Sequence, residues 1–205
     1  MEHKIYRKLK QDISIVKKTI GPKCHSKIKV ILQNINKNLM ALYKIAIKDT
    51  KTGLYNSRFF DAVFEIEIEK AKRGQKLSVI IIDIDNLKSV NDKLGHSNGD
   101  IVIKKVAKYV GENIRKSDIA SRFGGDEFVI LLPYASLKTA MRISRRLRAE
   151  IMSDTTFSEW GITASSGVAD FEKGDTKNKL FNKADFALLC AKKQGKNISM
   201  SYKDV

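Results

Sequence analysis

Residues 77–84 constrain the fold of this chain more than any other stretch of its sequence. The stretch is dominated by β-branched apolar residues and shows no alternation with polar ones. Such a run is typical of a β-strand that is buried on both faces of a sheet. It ends in Asp83-Ile84-Asp85, so carboxylates come directly off a core strand. An Asp–Lys pair at the surface explains Asp83 poorly, because it follows four buried apolar positions.

A second core strand begins at a turn that is rich in glycine and acid. Gly124 and Gly125 allow a sharp turn and leave room for close approach to the main chain, and Asp126 and Glu127 follow at once. An apolar run over residues 128–132 then ends at a proline, which predicts a buried strand. Carboxylates at the mouth of a buried strand are costly unless a cation neutralises them. A divalent metal is one explanation, since hard oxygen ligands suit magnesium, and an ordinary acidic hairpin loop is the other.

The remaining hydrophobic patterns surround these two strands with further helices and strands. Residues 86–98 form a polar excursion that is helical or looped, and Gly99-Asp100 opens the helix after it. The order is βαββαβ with a trailing αβ, which predicts an α/β fold (α+β) with a mixed central sheet and helices mainly on one face. If the first strand neighbours the glycine-rich hairpin, Asp83 and Asp126 converge at one edge of the sheet. The expected helices are 57–73, 99–114, 136–152 and 180–194, and the expected strands are 77–84, 117–123, 127–132, 161–169 and 197–202.

Residues 1–48 form a separate, basic module. Two apolar stripes at helical spacing are broken by Gly21-Pro22, which predicts an N-terminal helical hairpin that pairs with a second copy. Residues 1–50 carry twelve Lys and Arg against three Asp and Glu, or +9 of the total net charge of +16. Such a surface favours nucleic acid or anionic lipid, although a solvated lysine-rich face explains it equally well.

The sequence also predicts the compartment. Cys24 and Cys190 match neither a metal-binding spacing nor a disulfide framework, which is typical of a reducing compartment. The start of the chain is polar and charged rather than a signal peptide, and no apolar run approaches the ~20 residues of a membrane span. We therefore expect a soluble, cytoplasmic protein.

Several spaced motifs resemble one family. The segment after the first strand contains Asp83-Ile84-Asp85, Lys88, Asn91-Asp92, Gly95-His96 and Gly99-Asp100, and Gly124-Gly125-Asp126-Glu127-Phe128 follows. Together these motifs resemble the GGDEF family of diguanylate cyclases. The segments around Asp49 and Ala184-Asp185 are similar to the opening and closing motifs of that domain, so the resemblance covers residues 49–203.

The resemblance implies a ferredoxin-like palm fold over residues 49–205, similar to that of polymerases and adenylyl cyclases. It also implies an enzyme, a nucleotidyltransferase that joins two GTP molecules into cyclic di-GMP as a homodimer. Asp83, the carbonyl of Ile84 and Asp126 would hold Mg²⁺ (or Mn²⁺), and Glu127 would assist at a second metal. Asp126 or Glu127 would help to deprotonate the attacking hydroxyl, unless metal coordination makes a separate base unnecessary.

The substrate roles implied by the resemblance fall on eight further residues. Asn91 and Asp100 would read guanine, whose adjacent N–H donors suit a carboxylate, although Asp100 is also placed to act as a helix N-cap. His96 would order the loop, while Gly124 and Gly125 would keep side chains away from the nucleotide. The cations that would neutralise phosphate are Lys88, which also takes part in catalysis, Lys192 and Lys196.

Arg115 and Asp118 resemble the family's inhibitory site for its product. An ion pair near a helix end is the alternative explanation for this spacing. The chain departs from the family pattern at Lys51, where leucine is usual, and at Lys196, where arginine is usual. These departures bear on substrate affinity, because no metal ligand is replaced. The alternative function is a non-catalytic module that senses cyclic di-GMP or GTP.

Overall fold

The structure is a computed structural model that describes residues 25–205 and, before them, residues 11, 12, 14, 15 and 18. The chain divides into two compact units, Met1–Ala46 and Ile47–Val205. Helix α1 spans His25–Ile47. Before it, residues 11, 12, 14, 15 and 18 are helical, whereas the rest of the first predicted helix and its turn at Gly21-Pro22 lie outside the described residues. Within the part of the chain that is described, none of the helices has the length and apolar character that a membrane span requires.

The second unit alternates strands and helices. Its strands are β1 (Tyr55–Asn56), β2 (Leu77–Asp85), β3 (Ile119–Arg122), β4 (Glu127–Pro133), β5 (Thr163–Asp170) and β6 (Ser199–Ser201). Its α-helices are α2 (Ser57–Ala71), α3 (Leu87–Leu94), α4 (His96–Asn113), α5 (Leu137–Ser153), α6 (Thr155–Trp160) and α7 (Lys177–Lys193), and a 3₁₀ turn, Tyr202–Asp204, follows β6.

The six strands form one mixed sheet in the order β1-β3-β4-β2-β5-β6. Strand β2 lies in the middle and pairs antiparallel with β4 on one side and with β5 on the other. The outer pairs β1–β3 and β5–β6 are parallel. This arrangement confirms the predicted mixed α/β sheet and its βαββαβ core, and it also confirms that β2 neighbours the glycine-rich hairpin.

Helices cover both faces of the sheet, so the prediction that they lie mainly on one face was wrong. Alternate residues of β2 point to opposite sides, because successive side chains of a strand do so. Ile80 and Ile82 pack with α4, α5 and α6, whereas Val79 and Ile81 pack with α2 and α7. The unbroken apolar character of β2 follows directly, since neither of its faces contacts water.

The helix predicted to open at Gly99-Asp100 begins earlier, and the polar excursion before it is helical. Residues 87–94 form α3, and α4 starts at His96, four residues before Asp100. The alternative interpretation of Asp100 as an N-cap is therefore wrong, because Asp100 lies inside α4. Gly95 separates the two helices with a φ of 85°, a conformation that favours glycine. The short elements β1 and α6 were not predicted.

Candidate functional site

The acidic ends of β2 and β4 meet at one edge of the sheet. Asp83 lies opposite Glu127 in the antiparallel register, and the backbone N–H of Ile84 donates to the carbonyl of Asp126 at 3.1 Å. Strand pairing therefore places Asp83 beside the turn that carries Asp126, as the sequence predicts. Both acids line a cavity of about 510 Å³, called the first cavity below. The residues around the first cavity include Asp83, Ile84, Lys88, Asp126, Lys192 and Lys196.

Asp83 is a buried carboxylate that lies near two other acids and one lysine. Burial raises its pKa, Asp126 and Glu127 raise it further, and the Lys192 ammonium opposes them. Lys192 Nζ lies 2.7 Å from Asp83 Oδ2. A lysine from α7 is thus tied to the end of β2, and both charges face the same cavity.

The donor set of the first cavity fits magnesium. In the described part of the chain, no three His, Cys, Asp or Glu side chains lie close enough together to hold a metal ion. Magnesium is commonly held by one or two carboxylates, with substrate phosphates and water completing its coordination. Asp83, Asp126 and the carbonyl of Ile84 match that pattern, because they supply two carboxylates and one carbonyl oxygen at one edge of the sheet. Zinc would need a closed set of nitrogen or sulfur ligands.

Glu127 occupies a different position from the other two acids. Its Oε2 would lie 3.0 Å from a Cβ atom built on Gly124, so the side chain packs against the turn. Glu127 is not among the residues that line the first cavity. The turn itself is closed by Phe123, whose N–H donates to the carbonyl of Glu127 at 2.9 Å. The role of Glu127 at a second metal stays a prediction.

Asp85 anchors the edge of the sheet. It is only 2% exposed and accepts hydrogen bonds from Thr163 Oγ1 at 2.7 Å and from Ser165 Oγ at 2.9 Å. The backbone N–H of Asn197 also donates to it, at 3.0 Å. These bonds join β2 to β5 and to the segment before β6. Since its oxygens are taken by these donors, Asp85 positions the site rather than adding a free ligand.

A second cavity, of about 280 Å³, adjoins the first. Helices α3 and α4 contribute Asn91, His96 and Asp100 to its wall, and the hairpin contributes Gly125 and Asp126. The second cavity therefore gathers the residues that the sequence predicts for the base. Gly99 leaves room for the side-chain amide of Asn91, because a Cβ atom on Gly99 would lie 1.9 Å from Asn91 Oδ1.

Two cations that the sequence analysis did not assign to the site also line the second cavity: Lys51 and Arg122. Lys51 Nζ lies 2.5 Å from Asp100 Oδ1. Its hydrogen bond is the main reason that the pKa of Asp100 falls below the usual value. Arg122 donates from its Nη2 to the carbonyl of Gly125 at 2.7 Å, and its Nη1 lies 3.6 Å from Asp49 Oδ1.

Leu87, Lys88 and Asp126 line both cavities. The two cavities therefore share part of their lining, which comes from α3 and the hairpin. The first cavity is lined chiefly by carboxylates and lysines, and the second adds an amide and an imidazole to two carboxylates and three cations, Lys51, Lys88 and Arg122. This arrangement suits a ligand with a phosphate chain at one end and a polar aromatic base at the other.

The structure also describes the remaining predicted residues, Lys196, Arg115 and Asp118. Lys196 Nζ donates to Asn86 Oδ1 at 2.8 Å, at the rim of the first cavity. Arg115 and Asp118 lie between α4 and β3, and neither lines either cavity. The Asp118 carboxylate accepts the backbone N–H of Arg115 at 2.9 Å, and the Arg115 side chain is exposed.

Comparison with known proteins finds a matching family model and several relatives of this chain. A family model described as "Diguanylate cyclase, GGDEF domain" matches residues 46–198. The diguanylate cyclase DosC of Escherichia coli (strain K12) is 40% identical over 154 residues, which are 73% of this chain and 34% of DosC. The response regulator PleD of Caulobacter vibrioides is 34% identical over 170 residues, 80% of this chain and 37% of PleD. The chain thus spans about a third of the length of these relatives.

Solved structures agree with the observed fold. The coiled coil and GGDEF domain of DgcB from Caulobacter crescentus, in complex with c-di-GMP, superposes with a TM-score of 0.79 at 27% identity. The match covers 86% of this chain and 96% of that one. The active GGEEF domain of a diguanylate cyclase from Vibrio cholerae gives a TM-score of 0.69 at 34% identity, covering 72% of this chain and 96% of the other.

Proposed function

Because the chain belongs to the GGDEF family of diguanylate cyclases, we propose that it joins two GTP molecules into cyclic di-GMP. In this reaction the 3′-hydroxyl of each GTP attacks the α-phosphorus of the other. Two new phosphodiester bonds form, and two pyrophosphates leave. The diguanylate cyclase DosC, which matches 73% of this chain, supports the proposal.

The observation that carries this proposal is the pair of adjoining cavities. The second cavity presents Asn91 and Asp100 to a base, and the first presents Lys88, Lys192 and Lys196 to phosphates. A nucleoside triphosphate has this division of chemistry along its length. Asp126 lies where the two cavities join, and therefore next to the position of the α-phosphorus and sugar in such a ligand.

The first cavity would hold magnesium or manganese through Asp83, Asp126 and the carbonyl of Ile84. When bound, the ion would neutralise phosphate charge and stabilise displacement at phosphorus. Burial and the neighbouring acids Asp126 and Glu127 raise the pKa of Asp83, so a cation bound there would favour its ionised form. Lys192 already bonds this carboxylate, so it stands within reach of a phosphate held at the same place.

Asn91 and Asp100 would distinguish guanine from other bases. Guanine offers N1–H and an exocyclic amine as adjacent donors, and an ionised carboxylate accepts from both. Adenine lacks that donor pair, so a site with Asp100 favours GTP over ATP. The lowered pKa of Asp100 keeps it ionised, which supports this role. Asp126 or Glu127 would take the proton of the attacking hydroxyl.

The proposed reaction needs two copies of the chain. The adjoining cavities accommodate one nucleotide, whereas the product contains two nucleotide units. Helix α1 carries an exposed apolar stripe that suits pairing with a second copy, because its side chains recur at steps of three and four residues. The stripe consists of Ile31, Ile35, Leu39, Leu42 and Ile45, each 42–65% exposed.

Arg115 and Asp118 would bind the product as an inhibitory site. Their separation from both cavities supports this role, because product bound there would leave the substrate site free. The exposed Arg115 guanidinium could stack on a guanine or bond a phosphate. Asp118, held against the backbone of Arg115, is fixed beside it.

An assay of product formation tests the proposed function. The protein is incubated with GTP and Mg²⁺ over a range of protein concentrations, and products are identified by mass spectrometry. We expect cyclic di-GMP and pyrophosphate, with a specific activity that rises with protein concentration. Asp126→Asn should lower the rate by roughly 10²-fold or more, since it removes a charge from the reacting centre.

Glu112→Gln provides the matched control, because Glu112 is an exposed carboxylate on α4 that pairs only loosely with Lys108, at 3.8 Å. Its activity should equal that of the wild type. Absence of product at every protein concentration would contradict the proposal. If GTP or cyclic di-GMP nevertheless bound tightly, the chain would instead be a sensing module.

A further inference from the structure

We propose that Lys51 and Asp100 act together as a single reader of the guanine edge, with Lys51 donating to O6. This inference rests on the proposed function, and it goes further by assigning a specificity residue within the second cavity. The Lys51 ammonium lies 2.5 Å from Asp100 Oδ1, and both residues line that cavity. The pair is formed by residues 49 positions apart, so the fold brings it together.

The pair presents hydrogen-bonding groups in an order that matches guanine. Along its Watson–Crick edge, guanine carries an acceptor, O6, followed by two donors, N1–H and the 2-amino group. Cytosine pairs with this edge through one donor and two acceptors. Lys51 Nζ and the two carboxylate oxygens of Asp100 form the same series of one donor and two acceptors. Asp100 alone would read only the two donors of guanine.

The positions of the neighbouring groups support a contact between Lys51 and the base. An ammonium group has three N–H donors, and Asp100 Oδ1 occupies one of them. Lys51 is 34% exposed, and it lines the cavity together with Asn91 and Arg122. Lys51 Nζ hydrogen-bonds Asp100 Oδ1 directly. Its two other N–H donors therefore lie beside the carboxylate that faces the base.

A hydrogen bond from Lys51 to O6 would also give the site a second means of selecting against adenine. Adenine carries an amino group where guanine has O6, so an ammonium there would meet a donor instead of an acceptor. A site that hydrogen-bonds a substrate group rejects analogues that lack it, because its own polar groups then lose their partners. Lys51 would thus weaken the binding of adenine, while Asp100 would strengthen the binding of guanine.

Equilibrium binding of three nucleoside monophosphates tests this inference. GMP carries O6 and the 2-amino group, IMP keeps O6 but lacks the 2-amino group, and 6-thio-GMP replaces O6 with sulfur, a weaker acceptor. Calorimetric titrations compare the wild type with Lys51→Met, which keeps the length of the side chain without its charge. We expect Lys51→Met to weaken GMP and IMP about 5- to 20-fold, and 6-thio-GMP less than about twofold.

Lys104→Met is the matched control, because the Lys104 charge acts on Asp100 from α4 although Lys104 does not line the second cavity. It should leave the order of the three affinities unchanged. Equal weakening of all three ligands by Lys51→Met, unchanged binding, tighter binding of GMP, or no GMP binding by the wild type would each overturn the inference. Thermal unfolding of both variants shows that they remain folded.

The result is separable from the proposed function, since monophosphate binding needs no turnover. If Lys51→Met lowered affinity only for ligands with O6 while no cyclic di-GMP formed, the base reader would stand and the cyclase proposal would fail. If cyclic di-GMP formed normally but Lys51→Met had no O6-dependent effect, the cyclase proposal would stand and this inference would fail.

Discussion

Gly99 determines where the side chain of Asn91 lies. The two residues belong to successive helices, α4 and α3, and the Asn91 amide fills the space that a side chain at position 99 would take. A helix normally loses stability when it contains glycine, by about 0.5–1 kcal/mol relative to alanine. Gly99 is therefore explained by the contact that it permits rather than by its conformation.

Gly99→Ala should raise the KM for GTP roughly tenfold, because the new methyl group displaces Asn91 from the base cavity. Steady-state kinetics with GTP measures the change. Gly111→Ala is the control in the same helix, since a Cβ atom there would have no neighbour within 4 Å. It should leave KM unchanged and stabilise the protein by about 0.5–1 kcal/mol. An unchanged KM in Gly99→Ala would mean that Asn91 does not contact the substrate.

Motif spacing predicted which acids and amides meet, but it did not predict how the cations pair. Asp83, Asn91 and Asp100 each lie where the sequence places them, because strand register and helix position follow from local patterns. The contact between Lys51 and Asp100 depends on the direction of a long, flexible side chain from a turn. No periodicity in the sequence specifies that direction.

At the scale of the elements, Asp154 joins three helices, because it is the C-cap of α5 and also contacts α6 and α4. It is the N-cap of α6, where it accepts the N–H of Phe157, and it also accepts hydrogen bonds from Lys105 and Tyr109 of α4. Burial alone would raise the pKa of Asp154, but the hydrogen bonds from Lys105, Tyr109 and Phe157 together hold it below its usual value. The same carboxylate raises the pKa of Tyr109 to about 12.

Asp154→Asn should lower the free energy of unfolding by about 1–3 kcal/mol near neutral pH, because it removes the charge from this network. The pKa of Asp154 is lower in the folded protein, so its ionised form stabilises the fold above the unfolded pKa of about 3.9. That contribution disappears as the pH falls through the lowered pKa. Urea unfolding at several pH values should therefore show the variant converging on the wild type below about pH 4.

Glu69→Gln is the control for this experiment, because Glu69 also bonds a lysine, Lys72 at 2.7 Å, but is exposed. It should change stability very little near neutral pH. A difference between Asp154→Asn and the wild type that stayed constant down to the acid limit would contradict the assigned role of the charge.

The long elements were predictable, whereas the short ones and the layering were not. Strand β2 was evident because residues 79–82 are four consecutive β-branched apolar residues, but its burial on both faces requires helices on both sides. The expectation of one covered face overlooked that requirement. Helix α6 has only six residues, and β1 has two, so neither produces a periodic signal. Their existence depends on capping by Asp154 and on pairing with β3.

At the scale of the whole molecule, the proposed pairing of two copies depends on the apolar stripe of α1. Ile35→Lys should raise the protein concentration needed for half-maximal specific activity roughly tenfold, because it places a charge within the proposed helix pair. Specific activity measured against protein concentration, together with sedimentation analysis, tests this expectation. Gln33→Lys adds the same charge at an exposed position on the other side of the helix, and it should have little effect. Equal behaviour of the two variants would exclude pairing through the stripe.

The central place of β2 has a consequence for the order in which the chain can fold. The strand needs both neighbours, and one of them, β5, lies some eighty residues later in the chain. During synthesis, or in a fragment that stops before Thr163, β2 would keep one edge of unpaired N–H and C=O groups beside its most apolar residues. Exposed edges of that kind are templates for association between chains. Completion of the sheet by β5 therefore protects the newly made protein from aggregation, in addition to holding Asp85 in place.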